Sequence, residues 1–141
     1  MTYGPEDNSP RTRRKKMKKK EYYILQLKSV RDADVAGNKE LECAVADELF
    51  LSQKELHRRG KEPNGAHYKT VYRGALPDLE DDRMALLETL YTRFNIDHPA
   101  DFTGHSLSVS DIVAIKETGK TRYYFCDSIG FNELEGFVYD L

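Results

Sequence analysis

Two aspartates and two histidines lie within nine positions in the second half of the chain, and their side chains are of the kinds that bind divalent metals. They are Asp97, His98, Asp101 and His105. Zinc takes imidazole nitrogen and carboxylate oxygen, so the residue types fit a metal site. Their spacing matches no known ligand pattern, and aspartate near proline and glycine is also typical of turns. We therefore expect turn and cap residues here, with no metal and no cofactor.

Serines directly after this segment raise the alternative of a hydrolase. The residue types of a Ser-His-Asp triad are present in Ser106, Ser108, Ser110 and Asp111 together with either histidine. The chain has no Gly-x-Ser-x-Gly elbow, however, and serine or aspartate ahead of a strand usually bonds neighbouring backbone N–H groups. We predict a structural corner and no catalytic residue. The predicted structural or partner-facing residues are Asp97, His98, Asp101, His105, Ser108, Ser110 and Asp111.

The two cysteines, Cys43 and Cys126, are far apart and belong to no CxxC motif. This spacing argues against a structural zinc site and against a disulfide scaffold, so both are expected to be reduced thiols. Cys126 is a poor nucleophile candidate because the carboxylate of Asp127 beside it raises a thiol pKa. We expect Cys126 to be buried.

Charge divides the chain into two parts. Eight basic and two acidic residues give positions 1–20 a charge of +6, whereas 14 basic and 22 acidic residues give positions 21–141 a charge of −8. The basic residues are Arg11, Arg13, Arg14, Lys15, Lys16, Lys18, Lys19 and Lys20. With almost no apolar side chain, residues 1–20 are predicted to be a disordered tail. Such a tail binds nucleic acid nonspecifically by counterion release, remains solvated, or folds back on the acidic body.

Length and hydropathy limit the remaining classes. The 141 residues, with a mean hydropathy of −0.70, suffice for one globular domain, predicted over 21–141. No apolar run approaches the roughly 20 residues of a membrane helix, and no secretory signal is recognisable. We expect a cytoplasmic protein without a membrane span.

Hydrophobic periodicity predicts the elements that position these residues. Alternation predicts strands at 21–28, 67–75, 111–116 and 121–127, the last two joined as a hairpin, and a weaker strand at 41–46. In the first strand Tyr23, Leu25 and Leu27 are predicted to face the core. A short helix is predicted at 53–59, capped by Ser52 and ended by Gly60.

A longer helix is predicted at 79–94, with Asp78 as N-cap and Asn95 in a left-handed exit that folds Ile96 back on Tyr91. Its apolar stripe comprises Met84, Leu87, Leu90, Tyr91 and Phe94. The expected fold is α+β, a mostly antiparallel sheet packed against one long and one short helix.

Several segments of the body resemble one family. The stretch 86–115, above all Phe-Asn-Ile-Asp-His-Pro through Ser-Leu-Ser-Val-Ser-Asp, is similar to the YodL-like family of small bacterial domains. The segments 22–28, 71–76 and 123–131 fit the same pattern in the same order. The resemblance covers nearly all of 21–141 and leaves the basic tail outside.

What the resemblance implies is a context: small domains of Gram-positive gut bacteria, often carried on mobile elements, with no catalytic residue to transfer. The expected function is a non-enzymatic accessory protein that binds a host or element protein through an acidic, tyrosine-rich body. One alternative is a nucleic-acid binder anchored by residues 11–20. Others are an acidic DNA mimic that inhibits host defence, and a hydrolase or metal enzyme.

Overall fold

The fold is an α+β arrangement built on one five-stranded antiparallel sheet, seen in a computed structural model that describes residues 20–76 and 82–141. The strands are β1 (Lys20–Leu27), β2 (Tyr68–Ala75), β3 (Ile112–Glu117), β4 (Lys120–Cys126) and β5 (Phe131–Leu134). Their order across the sheet is β2-β1-β3-β4-β5. The helices are α1 (Lys39–Glu48), α2 (Gln53–Arg58) and α3 (Arg83–Ile96), with a 3₁₀ turn at Gly65–His67.

Four of the predicted strands and the antiparallel α+β class are confirmed. The β3–β4 hairpin turns at Thr118 and Gly119, both with positive φ, as a two-residue hairpin loop requires. The helix at 53–59 is confirmed as α2, in which the Ser52 side chain accepts a hydrogen bond from the N–H of Glu55. Strand β5 was not predicted, because its four residues are too few to show a period.

Both faces of the sheet are buried, whereas the sequence predicted a single core face for the first strand. Tyr22 and Ile24 of β1 pack into a core beneath α3, and Tyr23, Leu25 and Leu27 pack into a second core with Leu56 of α2. Strand β1 lies between β2 and β3 and is covered on both sides. This explains its nearly continuous apolar sequence.

The predicted strand at 41–46 is wrong, because these residues belong to helix α1. The Asn38 side chain caps the helix by accepting a hydrogen bond from the N–H of Leu41. The Glu42 carboxylate accepts from the N–H of Gly37 just before it. The Asn38 cap satisfies one first-turn N–H group, and the Glu42 bond ties the preceding residue to the helix. These local bonds favour a helical start over the weak alternation of apolar residues.

The long helix lies later in the chain than predicted. Asp78, the expected N-cap, falls outside the described residues, and α3 is capped by Asp82, whose side chain accepts from the N–H of Met84. Asn95 does not take the left-handed exit but stays in the helix, and Ile96 is exposed instead of folding back. The buried stripe is Leu86, Leu87, Leu90 and Phe94, while Met84 and Tyr91 are exposed.

With α1, α2 and α3 the described residues hold three helices, so the expected pair of one long and one short helix is only partly right. Within residues 20–76 and 82–141, no helix has the length and apolar character to cross a bilayer. Lys20, the last residue of the predicted tail, is the first residue of β1. Residues 1–19 lie outside the described part of the chain.

Candidate functional site

The loop between α3 and β3 is anchored to the sheet by one buried glutamine of β1. Gln26 accepts a hydrogen bond from the N–H of His105 (3.2 Å) and donates from Nε2 to the carbonyl of His105 (2.8 Å). Its Nε2 also lies 3.1 Å from Oδ2 of Asp111. Gly104 is required beside it, since a Cβ there would lie 2.4 Å from the Gln26 Oε1 atom. The glutamine therefore sets the position of His105.

Asp111 is the buried acid at the centre of this loop. Its side chain is 0% exposed, and Oδ2 accepts from Gln26 Nε2 and from the N–H of Ser108 (2.8 Å). Within the described residues Oδ1 has no hydrogen-bond partner. Burial, the largest cause, raises the pKa of Asp111 to about 8, although the two hydrogen bonds lower it. Burial thus favours the neutral acid.

Ser110 joins this buried loop to the segment after α1. Its backbone is left-handed, with φ 86°. The Ser110 carbonyl accepts a hydrogen bond from the Tyr68 hydroxyl (2.6 Å), and the Ser110 Oγ accepts one from the N–H of Phe50 (3.1 Å). Phe50 is itself left-handed, with φ 65°. A bulky residue rarely adopts this conformation, and strained residues of this kind cluster at functional sites.

An exposed aromatic surface lies above the anchored loop. Phe50 is 55% exposed, and its ring stands edge-on to the His105 ring, with ring centroids 5.8 Å apart. The His105 side chain is 41% exposed. Leu49 and Ser106 beside them are also exposed. We call these four residues the Phe50–His105 surface. It presents a rigid apolar ring to solvent from a backbone fixed by Ser110.

The predicted polar cluster does not come together as one site. Asp97 is the C-cap of α3, and its N–H donates to the carbonyl of Arg93. The His98 Nδ1 lies 3.1 Å from the carbonyl of Pro99, and its ring is tilted against Phe102. Asp101 is an exposed turn residue. Of the seven predicted residues, four share the anchored loop, namely His105, Ser108, Ser110 and Asp111.

No nucleophile in this loop is activated by a histidine. The His105 Nδ1 lies 2.8 Å from the carbonyl of Ser106 and 3.3 Å from the Nε2 of Gln26, so its close neighbours in the loop are a carbonyl oxygen and an amide nitrogen. Ser108 Oγ donates to the carbonyl of Ser106, and Ser110 Oγ bonds the N–H of Phe50. In the part of the chain that is described, neither His98 nor His105 bonds a serine hydroxyl.

The other side chains of the described residues that are relevant to catalysis are the metal-ligating groups and the two cysteine thiols. Across the described ranges, no three histidine, cysteine or carboxylate side chains are placed to hold a metal ion. Cys126 is buried, as predicted, and burial raises the pKa of its thiol to about 12, with smaller contributions from Asp111, Asp127 and Glu88. Cys43 is an exposed free cysteine on α1.

Residues that sequence reasoning missed include a buried ion cluster behind α1. Glu48 is 5% exposed, and its carboxylate lies 2.8 Å from the His67 Nδ1 and 3.2 Å from the Lys61 Nζ. Gln26 was missed too, although a polar residue in the middle of an apolar strand was a usable signal. Phe50 gave no signal, since φ is not visible in a residue type.

The basic residues Arg11 to Lys19 fall outside the described residues, so their predicted nucleic-acid contacts stay a prediction. Lys20, the last of the set, lies in β1 with its Nζ 3.7 Å from a Glu117 carboxylate oxygen. The carboxylate of Glu117 also accepts from Arg83, at 2.6 Å. At least this end of the basic run is therefore close to an acidic group of the body.

The chain matches a known family of domains. A family model described as a YodL-like domain matches residues 21–137, which is most of the chain. No curated protein and no solved structure matches this chain. The match includes the anchored loop and the Phe50–His105 surface, and it leaves out the basic residues before position 21.

Proposed function

The chain belongs to the family of YodL-like domains, and we propose that it is a non-enzymatic protein-binding module. The observation that carries the proposal is Phe50. An apolar ring is held 55% exposed on a left-handed backbone, by a hydrogen bond to a serine that is itself left-handed. A left-handed conformation at a residue other than glycine costs about 1–3 kcal/mol. Because the Phe50 ring is largely exposed, its burial within the domain offsets little of this cost. A partner protein that covers the Phe50 ring removes its apolar surface from water and thereby stabilises the complex.

Tyrosine supports the proposal less than the sequence suggested. Four of the eight described tyrosines are buried in the two cores, and three more are partly buried against them. The buried four are Tyr22, Tyr23, Tyr68 and Tyr124. Most of the described tyrosines therefore serve packing. Tyr123 packs against Phe137 and donates a hydrogen bond to the carbonyl of Tyr139. The proposed interface is therefore the Phe50–His105 surface, and not a tyrosine-rich face.

The proposed setting is the cytoplasm of a Gram-positive bacterium, where the module serves a mobile element by binding a host or element protein. The absence of an activated nucleophile among the described residues supports binding over catalysis. Purified protein that turned over a substrate, with loss on replacing His98 or Ser110, would contradict this proposal.

Site-specific photo-crosslinking tests the proposed interface. A crosslinking amino acid is placed at position 50 of the full chain and, as a matched control, at position 30, because Val30 is 52% exposed and lies in a different loop. We expect a discrete crosslinked partner from position 50 that position 30 does not yield. Binding of that partner should weaken about tenfold or more in Phe50→Ser, which corresponds to about 1.4 kcal/mol. Equal crosslinking from both positions would reject the surface.

A second candidate is nucleic-acid binding, favoured by the eight basic residues within positions 11–20. A duplex titration at several salt concentrations tests it. Nonspecific phosphate binding predicts an affinity that falls steeply with salt and disappears when residues 1–19 are removed. Salt-independent binding, or binding retained without the tail, would contradict it.

The DNA-mimic alternative has less support than the body charge of −8 implies. Many of the acidic side chains are in ion pairs with basic residues of the same body, including Glu21 with Arg73, Asp32 with Lys69, Asp47 with Arg59 and Glu133 with Arg122. Paired carboxylates present a weaker negative surface than the sequence charge suggests. Competition with duplex DNA for a restriction enzyme's DNA site would test this alternative directly.

A further inference from the structure

A second surface lies between α3 and the turn that joins β4 to β5. It is a cleft of about 160 Å³. Its lining residues are Glu88, Tyr91, Cys126, Asp127, Ser128, Gly130 and Phe131. The ionisable groups among them are two carboxyls, one tyrosine hydroxyl and one thiol, so the cleft contains no basic side chain.

One of the two carboxylates is available to a ligand. Within residues 20–76 and 82–141, Glu88 has no ion-pair or hydrogen-bond partner, and its side chain is exposed. Asp127 accepts from the N–H groups of Gln53 and Ser128 and from the Asn132 amide, all of them neutral donors that leave its charge in place. Cys126 lies at the buried base of the cleft, and the negative charges of Asp127 and Glu88 both contribute to the raised pKa of its thiol.

The walls of the cleft are aromatic and apolar. Tyr91 is 38% exposed and stands edge-on to Phe131, with ring centroids 6.3 Å apart. At the tip of the turn Ile129 is 90% exposed. A cation beside a carboxylate and an aromatic ring gains both Coulomb and cation–π attraction.

We propose that this cleft binds an arginine side chain from a basic segment of a protein partner, with Ile129 packing against an apolar neighbour of that arginine. A guanidinium group is planar, bonds a carboxylate in a fork and stacks on an aromatic ring, so it suits Glu88 and Tyr91 together. The inference rests on the proposed protein-binding function, and it uses residues that are separate from the Phe50–His105 surface.

Peptide binding to the full chain tests the inference. The probe is a fluorescent ten-residue arginine-rich peptide, compared by anisotropy with the same peptide in which glutamine replaces every arginine. We expect only the arginine peptide to bind, and Glu88→Gln and Tyr91→Leu each to raise its Kd about threefold to fivefold, as exposed ion pairs and cation–π contacts do. Ile129→Ser should weaken binding by a similar factor.

The matched control is Glu40→Gln, which removes one exposed negative charge from α1 and leaves the cleft intact. Its Kd should stay within about twofold of the wild type. If Glu40→Gln weakens binding as much as Glu88→Gln, net charge explains the binding and the inference is overturned. If Phe50→Ser weakens peptide binding and Glu88→Gln does not, the cleft is rejected while the proposed protein-binding function stands.

Discussion

The backbone N–H of Phe50 donates to the side-chain Oγ of Ser110 across 3.1 Å, and both residues lie in the left-handed region, at φ 65° and 86°. The two are 60 positions apart in the chain. The bond ties the segment after α1 to the loop before β3, and it holds an exposed aromatic ring next to His105. Ser110 is therefore a positioning residue for the proposed interface.

Ser110→Ala should lower the free energy of unfolding by about 1–2 kcal/mol, because it removes the acceptor for the Phe50 N–H and leaves an alanine in left-handed backbone. Ser110→Gly loses the same acceptor but relieves the backbone, so it should be less destabilised. Urea denaturation measures both. Ser106→Ala, an exposed serine whose Oγ has no hydrogen bond among the described residues, should change stability by less than about 0.5 kcal/mol. Equal losses for alanine and glycine would show that position 110 is not strained.

The buried acid predicts a pH dependence of stability. The pKa of Asp111 is raised from 3.8 to about 8, so between these values the folded protein retains a proton that the unfolded chain releases. The stability contributed by this group is complete below about pH 4 and is lost as the pH rises through about 8.

Asp111→Asn should remove that slope. We expect the urea midpoint of the variant to rise relative to that of the wild type between pH 5 and pH 9, because the amide does not ionise. Glu62→Gln, an exposed control, should follow the wild type across the same range. A variant that tracks the wild type at every pH would contradict the raised pKa.

Substitution of Glu48, which lies outside the proposed interface, should strongly lower the free energy of unfolding. Glu48→Ala leaves Lys61 and His67 without their buried partner and should cost about 3 kcal/mol. Glu48→Gln keeps both contacts as hydrogen bonds and should cost less. Asp47→Ala removes a solvent-exposed partner of Lys61 and Arg59 and should cost no more than about 1 kcal/mol. Thermal unfolding would show the ranking, and equal costs at positions 47 and 48 would contradict it.

Substitution of Gly104 tests whether Gln26 positions His105 of the Phe50–His105 surface. A Cβ at this position would lie 2.4 Å from Oε1 of Gln26 and 3.0 Å from a methyl of Val71, so Gly104→Ala must displace the glutamine. We expect a loss of about 1–3 kcal/mol and a changed chemical shift for the His105 backbone N–H, which bonds that oxygen.

Gly37→Ala is the control for Gly104→Ala, since its Cβ meets open space and only its φ of 86° is unfavourable. It should cost about 1 kcal/mol and leave the His105 N–H resonance in place. A Gly104→Ala variant with an unshifted His105 resonance would mean that Gln26 does not anchor the loop.

Local sequence signals predicted the elements that local chemistry decides. The Ser52 cap with Glu55, the turn at Thr118 and Gly119, and the apolar alternation of β4 all rest on residues close together in the chain. The same reasoning failed at 41–46, where the Asn38 cap outweighed a weak alternation. It also missed β5, which exists because Phe131 to Leu134 find β4 to pair with.

The sequence by itself determined the α+β class, the family and the burial of Cys126, because composition, periodicity and turn chemistry act over short distances. Only the tertiary structure decided which distant residues meet. Gln26 reaches Asp111 across 85 positions and Ser110 reaches Phe50 across 60. Burial, which raises the pKa of Asp111, and left-handed strain, which marks Phe50, are properties of surroundings that arise when the strands and loops pack.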